Sequence, residues 1–256
     1  MEKRSTSTNR TTRRLVISGT LVSIALIVRV VLIRAGGRLG GAAEWLPIAV
    51  IAGTLGWSAL SVTRNFPGAW GRPIPRISIA HMRPSRAVAL NGMLTGLAVL
   101  LTLMGSRMPE VGWAIYWLGA LPMMVGVSLH RRWGILGYLG AALLVGELLA
   151  PLQGLTFALF TGMLGLVSGL AATYGRSWAA TWILCAVVEM PALAFLLIVV
   201  PGLHLFWFRP NPHSVDGVVY VIAAAATLGL SWVMTAMLLY RPIVRAIRQR
   251  LIVVTA

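Results

Sequence analysis

The chain has 256 residues, 58% of them hydrophobic and 11% charged, against about 25% charged in an ordinary soluble domain. Long apolar runs recur from end to end, which excludes a water-soluble globule and predicts a polytopic membrane protein. The net charge of +16 comes from basic residues lying between the apolar runs, so it reads as membrane topology and excludes a nucleic-acid footprint.

The N-terminal segment MEKRSTSTNRTTRR, residues 1–14, is basic and is expected to lie in the cytoplasm. The apolar run after it has no small-residue cleavage site and continues through Arg29 to Ile33. It therefore reads as a retained span, not a removed signal. Seven further runs follow, giving spans at 15–33, 45–62, 88–104, 112–129, 134–149, 154–173, 178–200 and 218–240. The expected fold is all-α, a polytopic transmembrane helical bundle of eight spans with both termini cytoplasmic, its membrane domain covering 15–240. The fifth run has 16 residues, short of the roughly 20 that a perpendicular helix needs. It is a short, re-entrant or extended helix. Cys185, the single cysteine, lies in an apolar run and can form no internal disulfide.

Charge distribution tests this count. With the N-terminus inside, 17 of the 22 basic residues fall on inside segments, four outside, and Arg29 within a span. Such a bias on short loops is the positive-inside pattern of a multi-pass protein with both ends in the cytoplasm. The longest inside loop, 63–87, contains NFPGAWGRPIPRISIAHMRPSR, whose prolines and glycines oppose a long helix. It is expected to meet anionic lipid or, alternatively, a cytoplasmic partner. The tail, 241–256, carries Arg241, Arg245 and Arg248 near one helical face and reads as an interfacial amphipathic helix.

Small residues mark faces where helices can approach closely. The clearest set is Gly162, Gly165 and Gly169; Gly92 and Gly96 form a second, and Gly19 with Ser23 a third. In lipid such faces let backbone contacts accumulate, either within one bundle or against another subunit. Pro122 and Pro191 fall inside spans, and Pro191 follows Glu189 by two residues. A proline there frees a carbonyl and bends the axis.

Three ionisable residues lie within apolar spans: Arg29, Glu147 and Glu189. Counted from the cytoplasmic entry of each span, all three sit about 18–21 Å deep. A charge facing lipid near mid-bilayer costs at least about 2.5–3.5 kcal/mol, so the three are expected to face inward and share one polar site. Arg29 can neutralise one carboxylate, and the acid left over is protonated or meets a cation or the basic part of a ligand. The same residues also fit a purely structural ion pair, and Glu147, four residues before Pro151, also fits a position at the outer headgroups. Tyr116 and Trp117, on the outer half of the fourth span, are further candidates for ligand contact. Their rings also suit an interfacial anchor.

No phosphate-binding loop, HExxH motif or GxSxG elbow occurs, and the four histidines lack metal-ligand spacing. The chain reads as non-enzymatic, with no cofactor, no metal and no catalytic residues.

The stretch ALPMMVGVSLHRRWGILGYLGAALLVGELLAPLQGLTFALFTGMLGLVSGLAATYGRSWAATW, residues 120–182, carries an early proline in a span and then a basic, His-containing turn. Two Gly-rich spans follow, separated by a short polar turn, and a second basic turn ends the stretch. It resembles the core of a family of bacterial membrane proteins of about eight spans, typified by the YybS-like proteins. That family in turn resembles the substrate-binding S subunits of energy-coupling-factor transporters for vitamins and metals. The resemblance implies capture of a small nutrient near the outer side. It also implies docking onto a transmembrane coupling subunit driven by two ATPases. The family's docking face, on the first span, corresponds here to SGTLVSIAL, with Ser18, Gly19 and Ser23. A non-transporting scaffold or regulatory subunit of a membrane complex is the alternative.

Overall fold

The computed structural model describes residues 68, 70–75, 77, 84–108, 112–199 and 215–254. Eight helices are formed there: α1 Pro84–Arg107, α2 Gly112–Leu118, α3 Ala120–Leu129, α4 Arg131–Leu148, α5 Pro151–Leu159, α6 Thr161–Thr173, α7 Trp178–Val199 and α8 Val215–Val254. Among the described residues the sole β-type pairing is an isolated bridge between Pro73 and Ser177. The all-helical expectation agrees with this architecture. Backbone polar groups in hydrocarbon must be satisfied internally, and helices do so within one segment.

Neighbouring helices reverse through tight turns. At the end of α6 the Gly175 N–H reaches the Ala172 carbonyl at 3.1 Å and the Arg176 N–H reaches Ala171 at 2.8 Å. Gly175 takes φ 63°, so the helix closes in the double-bonded motif that favours glycine at this position. Ser177 then caps α7, its hydroxyl accepting the Ala180 N–H at 3.2 Å.

The expectation of eight spans is corrected. Among the described residues four helical segments are long and apolar enough to cross a membrane: Pro84–Arg107, Pro151–Thr173 (α5 with α6), Trp178–Phe195 and Ala224–Ile247. The expected span 112–129 is divided into α2 and α3 at Gly119 and supplies a shorter apolar helix, Ala114–Leu129. The expected span 134–149 is the 18-residue α4, which carries Arg131, Arg132 and Glu147 within that length. An apolar run in a sequence does not show where its helix is broken or which charges the helix takes in. The first two expected spans, with Ser18, Gly19, Ser23 and Arg29, lie outside the described residues.

The interior consists of three apolar clusters. The largest joins α3, α6, α7 and α8 through Met124, Leu164, Cys185, Trp232 and Tyr240. A second joins Phe160 to Leu193 and Ala225. A third joins α1, α3, α4 and α5 through Ala98, Met123, Tyr138 and Phe157. Outward faces are also apolar: Met93 is 74% exposed and Leu143 71%, a pattern acyl chains tolerate and water penalises. The chain is a polytopic α-helical membrane protein.

Three basic turns meet at one end. Arg131 donates to the Tyr174 hydroxyl at 2.8 Å, and the Ile74 N–H to the Arg176 carbonyl at 2.9 Å. The Tyr240 hydroxyl donates to the Pro75 carbonyl at 3.3 Å. Residues 68, 70–75 and 77 thus lie as a strap over the basic end, with Ile74 and Ile77 buried. The tail, expected as an interfacial amphipathic helix, is helical as far as Val254 as the continuation of α8, with Pro242 inside it.

Candidate functional site

The site is built on the seam between α6, α7 and α8. Along α7, Thr181, Cys185, Glu189 and Leu193 recur every four residues and all are fully buried; that spacing forms one ridge of a helix. Thr181 satisfies its own hydroxyl on the Ser177 carbonyl at 2.9 Å. Cys185 lies 3.7 Å from the Ser168 hydroxyl of α6, and that hydroxyl accepts the Trp232 indole N–H of α8 at 2.7 Å. Gly229 brings α8 against the backbone of Ala186. The three helices are tied at one level by Ser168, Cys185 and Trp232.

Glu189 lies one turn beyond that level, away from the basic end. It is 0% exposed, and among the described residues neither carboxyl oxygen has a hydrogen-bond partner. No opposite charge among the described residues acts on it. Its ridge neighbours belong to different clusters, Cys185 to the largest and Leu193 to the second. The carboxyl therefore stands where the apolar interior changes from one cluster to the next. Pro191, inside α7, is exposed on the opposite side and leaves the Val187 carbonyl without its helical donor.

Other orphaned polar atoms share this half of the bundle. Thr161 has a buried hydroxyl with no partner. It precedes Ser168 by seven residues on α6, so both point into the same seam. Two turns separate Thr161 from the Ser168 level and one turn separates Glu189 from it, leaving roughly 4–5 Å of axial rise between them. On the other side of α6, a Cβ on Gly165 would strike the Ala120 carbonyl, and one on Gly169 would strike the Met124 carbonyl. The two helices thus run in parallel, and Tyr116 lies on α2, before the break at Gly119 that precedes α3. The Tyr116 hydroxyl and the Trp117 indole N–H are buried without partners, and Trp117 packs on the cluster that contains Leu164. Burying such a group unpaired costs about 1–3 kcal/mol. The orphaned groups are thus spread over two faces: Glu189 and Thr161 on the α6–α7–α8 seam, and Tyr116 and Trp117 on α2, on the other side of α6.

Glu147 is not part of it. It is exposed next to the end of α4, on the same side as the exposed Leu143 and Leu144, and Glu189 is sealed. The exposed carboxyl and the sealed one do not share a site. Depth counting from sequence locates a residue along a helix axis and leaves its direction around that axis open.

The small-residue faces divide. Gly162 meets the rings of Phe157 and Tyr138, and Gly165 and Gly169 meet α3, so this set is used for internal packing. Among the described residues, nothing lies within 4 Å of a Cβ placed on Gly92 or Gly96. Sequence reasoning missed Thr161 and Trp232. Thr161 opens a Gly-rich helix and is the one hydroxyl on the Ser168 face two turns away, a signal available in the spacing. Trp232 offered none, because its partner lies 64 positions away. Among the described residues no three His, Cys, Asp or Glu side chains gather as a metal set. No family model, curated protein or solved structure matches the chain.

Proposed function

We propose that the chain is the substrate-capture membrane subunit of a small-nutrient uptake transporter, similar in kind to energy-coupling-factor S subunits and non-enzymatic by itself. The observation that carries the reading is Glu189, a carboxyl fully buried in the membrane domain with no hydrogen-bond partner among the described residues. Such a group is costly in the membrane and marks a substrate or ion path. A small cationic or zwitterionic ligand supplies the missing partner: its basic nitrogen faces Glu189, and the Thr161 hydroxyl on the same seam satisfies a further polar group. The basic end faces the cytoplasm of a bacterial cell. This puts Glu189 beyond the middle of the bilayer toward the outside, where an incoming nutrient is met. Uptake then uses a coupling subunit and ATPases on other chains.

The test is extraction of the purified protein from nanodiscs, with mass spectrometry of what it releases. Wild type is expected to release one small basic molecule per chain, and Glu189→Gln none, at equal helicity. Wild type that releases nothing above the level of Glu189→Gln, from cells grown in rich medium, would falsify the reading.

A second reading, a scaffold or regulatory subunit, is favoured by the open face of α1. Gly92 and Gly96 lie there beside the exposed Met93, Leu97 and Leu100. Loss of partner co-purification in Gly92→Leu/Gly96→Leu, with cargo absent from wild type, supports it.

A further inference from the structure

We propose that Arg72, Arg241 and Arg245 form a binding site for a phosphate-bearing anion at the basic end of the bundle. Arg72 and the Arg241–Arg245 pair come from distant parts of the chain, and the strap brings Arg72 to the pair. Its backbone is fixed at three points: Ile74 N–H to the Arg176 carbonyl at 2.9 Å, the Pro73–Ser177 bridge, and the Ala179 N–H to the Trp70 carbonyl at 3.0 Å. Buried Ile74 anchors it from beneath. The Tyr240 hydroxyl then ties α8 to the Pro75 carbonyl at 3.3 Å, and the Tyr240 ring sits edge-on to Trp178 at 6.5 Å. Arg241, the next residue, is thereby held beside Arg72, and Arg245 follows one helical turn later on the same face.

Arg241 is half-buried, and Arg72 and Arg245 are exposed around it. Both act on it as like charges, and no carboxylate among the described residues offsets them. A fold that uses a hydrogen-bonded strap to hold three guanidinium groups together carries an uncompensated field at that point. Guanidinium forks match phosphate oxygens two at a time, and a phosphate monoester or diester fits between several of them. The basic end is also where anionic headgroups concentrate if it faces the cytoplasm. The shared chemistry is a phosphate group, and its source is a lipid headgroup or a soluble phosphate.

The experiment is native mass spectrometry of the full chain released from micelles carrying equal phosphatidylglycerol and phosphatidylcholine. Wild type is expected to keep one phosphatidylglycerol at least tenfold over phosphatidylcholine, or to bind inorganic phosphate in its place. Arg72→Gln/Arg241→Gln is expected to lose at least fivefold of that retention, and Arg107→Gln, at the opposite end, none. Release of the lipid by 10 mM inorganic phosphate assigns the site to a soluble phosphate; persistence assigns it to a headgroup. Both support the site. Arg245→Gln, at an exposed position, gives the same reading should the double variant fold poorly, with circular dichroism as the check. Full retention by Arg245→Gln and by the double variant overturns the proposal. So does equal retention of the two lipids by wild type without phosphate binding.

Discussion

The Trp232 indole N–H donates to the Ser168 hydroxyl at 2.7 Å, across 64 positions of sequence. Both side chains are fully buried, and Cys185 completes the node from α7. Ser168→Ala leaves the indole N–H without an acceptor in an apolar interior, at a cost of about 1–3 kcal/mol. Trp232→Phe keeps most of the ring, removes the donor and leaves a hydroxyl that can turn to a backbone carbonyl, so it costs less, about 0.5–1.5 kcal/mol. Thermal unfolding in detergent checks the order: Ser168→Ala is expected to melt below Trp232→Phe, and both below wild type. The reverse order would show that ring packing outweighs the hydrogen bond.

Two small-residue pairs that look alike in sequence are expected to respond differently. A side chain at Gly165 or Gly169 enters the backbone of α3, and interiors do not expand to admit it. Gly165→Leu is therefore expected to lose more than about 3 kcal/mol and to give little monodisperse protein. Gly92→Ala meets nothing within 4 Å and gains helix propensity, by up to about 1 kcal/mol. Size-exclusion profiles and melting curves of the two variants make the comparison. A well-behaved Gly165→Leu would refute the α3–α6 packing.

These contrasts show what the sequence made legible. Apolar runs, small-residue faces and basic turns follow from composition and spacing, and each is visible without a structure. Which helix a smooth face meets is not, because a glycine pair states only that an approach is permitted; Gly162, Gly165 and Gly169 use the permission and Gly92 and Gly96 leave it open. Span counting failed where the chain itself gives mixed signals: Gly119 divides an apolar run, and α4 takes in Arg131, Arg132 and Glu147. Glu189 was legible as a buried acid, because its depth and its proline neighbour are local. That Glu147 faces outward was not, because direction around an axis is decided by the partners α4 finds.

The strap offers a further test. Tyr240→Phe removes the hydrogen bond to the Pro75 carbonyl and preserves the ring that packs on Trp178. Backbone amides at the strap's fixed points, such as that of Ile74, are expected to exchange with deuterium severalfold faster in this variant. Amides of α3 and α6 are expected to keep wild-type protection, since local opening follows local contacts. Uniform acceleration through the bundle would show instead that Tyr240 supports the whole fold.

The last prediction separates stability from function at Glu189. A buried carboxyl without a partner opposes folding, and an apolar side chain of similar volume removes that penalty. Glu189→Leu is therefore expected to raise the unfolding free energy of the empty protein by about 1–4 kcal/mol. Glu147→Gln, at an exposed position, is expected to stay within about 0.5 kcal/mol of wild type. A residue whose removal stabilises the fold is retained for what it binds, which is the pattern expected of functional sites. Unfolding of cargo-free wild type and both variants in one detergent decides the matter. A fall in the melting temperature of Glu189→Leu would mean that the carboxyl is satisfied within the fold, and the reading of Glu189 as a ligand's counterpart would fail with it.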